Sequence, residues 1–156
     1  MATATLTLPG ALRRAFTAYN DGKLSRAEQL CRAIIAAKPD LLEALHLLAA
    51  VQTKSGRRSD ALASYEQALA TRPDDADALN NRGVLLQELE RYDEALASCD
   101  KALASKPDRL VALASRGGIL LLLKRYDEAS RATKKRSRLL PVMQMPSTIA
   151  VSSSRT

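Results

Sequence analysis

The sequence predicts an all-α fold, a solenoid of antiparallel helix pairs. Three observations carry this. Prolines stand at 39, 73, 107 and 141, each 34 residues after the last, and alanines at 27, 61, 95 and 129 keep the same spacing. Small residues keep it too, at Ala15, Ala49, Gly83 and Gly117. The chain is rich in Ala and Leu, with one Phe and no Trp, which suits helices more than sheets. A fixed period of this length is the signature of stacked two-helix units.

The period divides the chain as follows. Residues 1–7 are an N-terminal extension. Unit 1 (residues 8–41) is divergent, with Ala27, Cys31 and Ile34 on its second helix and Gly22 at the turn. Unit 2 (residues 42–75) places Gly56 at the turn, then Ala61, Tyr65 and Ala68. Unit 3 (residues 76–109) is the clearest. Leu79, Gly83 and Leu86 form one stripe, a turn follows at Glu90 and Arg91, and Tyr92, Ala95, Cys99, Ala102 and Leu103 form a second. Asp74 and Asp75 sit where a helix N-terminus favours negative charge. Pro73 and Pro107 stop the preceding helices, having no N–H and disfavouring a helical residue before them. Unit 4 (residues 110–140) begins with helix 110–123, but its second helix, from Arg125, loses the apolar stripe after Ala129. Thr133 and Arg136 stand where a core residue and a small residue belong. Residues 141–156 have neither period nor partner and are expected to be disordered.

The small residues have a physical reason. Two antiparallel helices come close only where bulky side chains do not meet at the crossing. Tyr65, or Cys99 one unit later, then fills the space between units. Neither helix can bury its face alone, so the units must stack.

The formal charge is +7, and it is unevenly placed. The stretch 130–156 holds 6 Lys and Arg and no acid; the rest holds 24 − 6 = 18 against all 17 acids, a net of +1. The body therefore makes no case for binding nucleic acid. The run "KKRSR" (residues 134–138) reads as a solvated charge run, and the tail has no aromatic residues for base stacking. The N-terminus lacks the basic region of a secretory signal, and no apolar run is long enough to span a bilayer. The expectation is a cytoplasmic protein with no membrane partner.

The tail also has a reading in another frame. "RYDEA" occurs at residues 91–95 and again at 125–129, and only the first copy continues as a repeat. Taking the last base of each codon with the first two of the next, from the Ala129–Ser130 junction to Val151–Ser152, restores the repeat. The Met143–Gln144 junction must read GCA, alanine; Gln144–Met145 must be Asp or Asn; Met145–Pro146 must be GCC, alanine. These match Ala76, Asp77 and Ala78. Along the whole stretch matching residues 62–84, only the junctions at Gln67, Arg72 and Asp74 fail to permit the repeat residue. Residues from about Ser130 are thus expected to be out of frame. The apolar flank 120–123, left without a polar cap, is expected to drive weak self-association.

Little else suggests chemistry. His46 is the only histidine, and no second His or ligating Cys lies within reach, so no metal or catalytic site is expected. Gly117 and Gly118 lie inside a helix with no strand before them, unlike a phosphate loop. Cys31 and Cys99 are two periods apart, beyond disulfide reach, and read as buried packing residues. No cofactor is implied.

The sequence resembles the tetratricopeptide repeat family. Its small residue in helix A matches Gly83 and Gly117. Its Ala-x3-aromatic-x2-Ala pattern matches Ala61, Tyr65 and Ala68, and again Ala95, Cys99 and Ala102 with Cys for the aromatic. Its terminal Pro matches Pro39, Pro73 and Pro107. The resemblance covers residues 8–129 and implies a right-handed solenoid whose concave face is built from the first helix of each unit. It implies a non-catalytic scaffold that binds a protein or peptide. The groove should be lined by Leu12, Phe16, Tyr19, His46, Leu47, Ala50, Lys54, Asn80, Asn81, Val84, Gln87, Glu88, Ser115 and Leu122. Asn80 and Asn81 are the best-placed recognition residues, because side-chain amides hydrogen-bond an extended backbone. Unit 3 is similar to repeats that precede O-linked N-acetylglucosamine transferase-type catalytic domains. There an asparagine ladder lines the groove; here Asn81 matches, while Arg13, Leu47 and Ser115 occupy the other rungs. The alternative expectation is therefore the truncated substrate-binding front of such a glycosyltransferase, without its catalytic domain.

Overall fold

A computed structural model describes residues 7–139. The expected disordered tail, 141–156, lies outside the described residues, as does nearly all of the N-terminal extension. Among the described residues there are eight α-helices and no strand: α1 Leu8–Asn20, α2 Leu24–Ala37, α3 Leu42–Lys54, α4 Arg58–Thr71, α5 Ala76–Glu88, α6 Tyr92–Ser105, α7 Leu110–Leu122 and α8 Tyr126–Leu139. Each helix packs on its neighbours in sequence, and α5 also meets α7 and α1 meets α3. The result is an all-α solenoid of antiparallel pairs.

The turn inside each pair is the same left-handed cap. The residue after helix A has positive φ at Gly22 (76°), Gly56 (78°), Glu90 (59°) and Lys124 (60°). The next backbone N–H then reaches back to the last turn: Lys23 to Ala18 O at 2.8 Å, Arg57 to Gln52 O at 2.9 Å, and Arg91 to Leu86 O and Arg125 to Leu120 O, both at 2.8 Å. This closes carbonyls that the helix end leaves open. Glycine enters this conformation freely, whereas Glu90 and Lys124 pay a steric penalty there. Glu90→Gly should therefore raise stability by about 0.5–1 kcal/mol, and Lys124→Gly likewise. Urea unfolding of the two variants reads this; a loss of stability in both would contradict it.

The core is a row of separate clusters, and the larger ones cross unit boundaries. Ala15, Ala49, Ala27, Ala61 and Ala95 are fully buried, and Gly83 and Gly117 are buried with them. One cluster joins Leu62 of α4 to Leu86, Ala95, Leu96, Cys99, Ile119, Leu120 and Ala129. Tyr65 is 5% exposed and packs with Leu45, Ala49, Ala78 and Leu85. Cys31 and Cys99 are free, fully buried thiols, each pushed up to about 11, chiefly by burial. The units are also tied at their surfaces. Arg57, at the start of α4, bonds Glu28 of α2, and this contact above all holds the Glu28 carboxyl below its ordinary range.

Helix α8 is polar on nearly every side. Only Ala129 and Ala132 are buried on it. Thr133 satisfies its hydroxyl on Ala129 O at 3.0 Å, and Arg136 is exposed. The apolar flank divides: Leu120 is fully buried and Leu123 half-buried, while Leu121 and Leu122 are 54% and 49% exposed. Leu120 was expected on an open flank; it lies inside because α8 still covers α7 there.

Candidate peptide-binding groove

Helices α1, α3 and α5 run side by side, so residues one period apart line up across them. Tyr19, Ala50, Lys54, Asn81, Val84 and Glu88 surround one groove of about 320 Å³, with Thr53, Tyr65 and Leu85 completing its wall. Its floor is apolar and its rim is charged. Lys54 Nζ lies 4.6 Å from the centre of the Tyr19 ring, a cation–π contact between units 1 and 2. Among the described residues Lys54 has no carboxylate partner. Glu88 is already taken, bonded by Arg58 Nε at 2.6 Å. The Tyr65 phenol is pushed up by burial, while the Asn81 amide beside it pulls the other way. Gln87 of α5 and Ser115 of α7 are half-buried.

A second depression, about 610 Å³, opens at the N-terminal ends of α3 and α5. Phe16 and His46 line it, together with Lys38, Asp40, Glu43, Arg72, Asp75 and Asp77. His46 does not stand free. Its Nε2 is 2.8 Å from Asp75 Oδ2, and its ring meets Tyr65 edge-on with centroids 6.0 Å apart. The other Asp75 oxygen accepts from the Asp77 and Ala78 N–H groups and caps α5. Asp75 thus divides its two oxygens between the N-terminus of α5 and His46 on α3. The sequence placed Asp75 at the helix start but did not show this second bond, since its partner lies a whole helix pair away along the chain.

Two expected groove residues are corrected. Leu47 is 2% exposed and packs back on Ala11, Ala15, Cys31 and Ile34 of unit 1. Asn80 is 3% exposed, with Oδ1 sealed from solvent and unpartnered. Neither can touch a ligand. Leu47 is apolar and packs into the unit 1 core, although it occupies the place in its unit that groove-lining Asn81 occupies in the next. Leu12 is half-buried against the unit 1 core, whereas Phe16 and Leu122 are open, at 42% and 49% exposure. Among the described residues no group of three or more His, Cys, Asp or Glu could hold a metal ion, and no helix is long and apolar enough to cross a membrane.

Comparison with known proteins agrees with this geometry. Residues 46–109 match the tetratricopeptide repeat family. No curated protein matches the chain. Among solved structures, the chain is similar to a crystal structure of MamA, with a TM-score of 0.81 at 20% identity, covering 87% of this chain and 80% of that one. It is also similar to MamA from Desulfovibrio magneticus RS-1, residue 41 to the end, with a TM-score of 0.78 at 19% identity, covering 86% and 76%. At such identity the likeness is one of fold. The chain is an all-α solenoid of antiparallel helix pairs, of which residues 46–109 match the tetratricopeptide repeat family.

Proposed function

We propose that this chain is a non-catalytic scaffold, acting in the cytoplasm, that holds an extended segment of another protein along α1, α3 and α5. The observation that carries the reading is the groove around Lys54, continuous across three helices, with an apolar floor and one unpaired cation on its rim. An extended peptide with an acidic side chain suits it. The carboxylate would sit on Lys54, the Asn81 amide would meet the backbone, and apolar side chains would lie on Ala50 and Val84. Desolvated charge pairs of this kind contribute most when truncation leaves a partner unpaired.

Peptide arrays probed with the full chain test this. The wild type should select extended peptides carrying an acid. Lys54→Glu should weaken a selected peptide about tenfold or more, and Asn81→Ala should weaken it less. Asn80→Leu should leave affinity unchanged, because Asn80 is buried. Equal binding by wild type, Lys54→Glu and Asn81→Ala would dismiss the groove.

The glycosyltransferase-front reading rests on the one ladder position that faces the groove, Asn81. Binding that spreads over many unrelated extended sequences, without selection of acids, would favour it. Exposed Leu121, Leu122 and Tyr126 support weak self-association through the unit 4 end, which sedimentation velocity at rising concentration reads.

A further inference from the structure

Two contacts join the second helices of units 2 and 3 to the first helix of the next unit and recur one period apart, whereas at the unit 1 junction Glu28, Arg32 and Leu48 stand in those places. Leu62 and Leu96, each 7% exposed, pack in one cluster with Leu86, Ile119 and Leu120. Glu66 pairs with Arg82, and Asp100 pairs with Arg116 at 2.5 Å. Tyr92 is half-buried against that same cluster, to which Leu123 of the next unit also belongs.

At the end of unit 4 both recurring positions change. Ser130 stands in the place of Leu62 and Leu96, and it is exposed. Lys134 stands in the place of Glu66 and Asp100, reversing the charge. Tyr126, the counterpart of Tyr92, is 61% exposed. Helix α7 keeps the apolar face of a middle unit, while α8 offers nothing to a following one.

We propose that this face is built for the first helix of one more unit of the same repeat, and that the codons of residues 130–151 carry, one base out of step, the rest of unit 4's own second helix and the start of that further helix. The structure shows which of the matched junctions carry contacts between units. The Ala129–Ser130 junction can encode leucine, the residue at 62 and 96. The Thr133–Lys134 junction can encode glutamate, the residue at 66. The Ile149–Ala150 junction can encode arginine, the residue at 82 and 116. Both halves of the recurring ion pair and the apolar contact therefore return together, spaced as their counterparts are. A polar tail with no relation to the repeat has no reason to conceal all three.

The nucleotide sequence tests the coding half. Expected are GCC for Ala129, ACG for Thr133 and ATC for Ile149, the codons that spell leucine, glutamate and arginine across the junctions. Two or three of these support the proposal, and none or one overturns it. The docking half is tested on protein. The full chain is compared with a version in which everything from Ser130 onward is replaced by the shifted-frame translation. The replaced version should melt about 5 °C or more above the chain as it stands. It should also sediment as a monomer at concentrations where the present chain self-associates. An equal or lower melting temperature overturns the docking half, whichever codons are found.

Discussion

Replacing Leu86 by alanine should cost about 2–5 kcal/mol of stability, the range for emptying a fully buried leucine site. Leu86 has no exposed surface, and its cluster reaches from Leu62 in unit 2 to Ala129 in unit 4. The lost methyl groups leave a cavity at a junction of three units. The neighbours there are held by helix backbones and cannot all collapse inward. In a solenoid each unit is stabilised mainly by its neighbours, so the damage falls on the coupling between units. The expected signature is a lower thermal midpoint, by about 2–4 °C for each kcal/mol lost, together with a broader transition. Val111→Ala is the control: Val111 is 57% exposed on the same layer, and its loss should stay within about 0.5 kcal/mol. Equal effects from the two substitutions would show that the cluster around Leu86 does not couple the units.

Gly83→Ala should cost about 1–3 kcal/mol, although alanine is the better helix former. A Cβ at residue 83 would stand 2.9 Å from Cys99 Sγ and 3.3 Å from the Ala95 carbonyl oxygen. Cys99 is fully buried, so its sulfur has no free space to enter, and the Ala95 oxygen is backbone. Helices α5 and α6 would have to separate. Gly117, one period later, is the contrast. Its nearest atoms would be Thr133 Oγ1 at 3.8 Å and the Ala132 methyl at 3.9 Å, ordinary contacts. Gly117→Ala should therefore stabilise by about 0.5–1 kcal/mol through helix propensity alone. Removing the sulfur should relieve part of the strain, so Gly83→Ala combined with Cys99→Ala should lose less than the sum of the two single changes. Urea melts of the four variants measure the cycle. Strict additivity would remove Cys99 from the explanation.

The fold was largely legible in the sequence because its signals are local and repeated. Proline spacing marked the unit boundaries, and the small residues marked the helix crossings. The turn positions were legible even where glycine is absent, since Glu90 and Lys124 take the left-handed conformation of Gly22 and Gly56. The groove was legible in part. Six of the expected residues, Tyr19, Ala50, Lys54, Asn81, Val84 and Glu88, come together around one cavity. Leu47 and Asn80 do not, and His46 is drawn into a bond with Asp75.

The sequence by itself determined the helices, their pairing and the residues that let them approach, because each depends on a few positions at fixed spacing along one helix. Its codons also hold the argument for a shifted frame, which no coordinate could supply. Tertiary structure decided which of two adjacent amides faces the groove. Asn80 and Asn81 differ by one residue, about 100° around the helix, and only the packing around α5 shows that Asn80 is buried while Asn81 lines the groove. It decided too that Gly83 is crowded and Gly117 is not. The sequence offers a glycine at both places, and only the side chain across the crossing, sulfur at Cys99 or the distant hydroxyl at Thr133, fixes how much space is left.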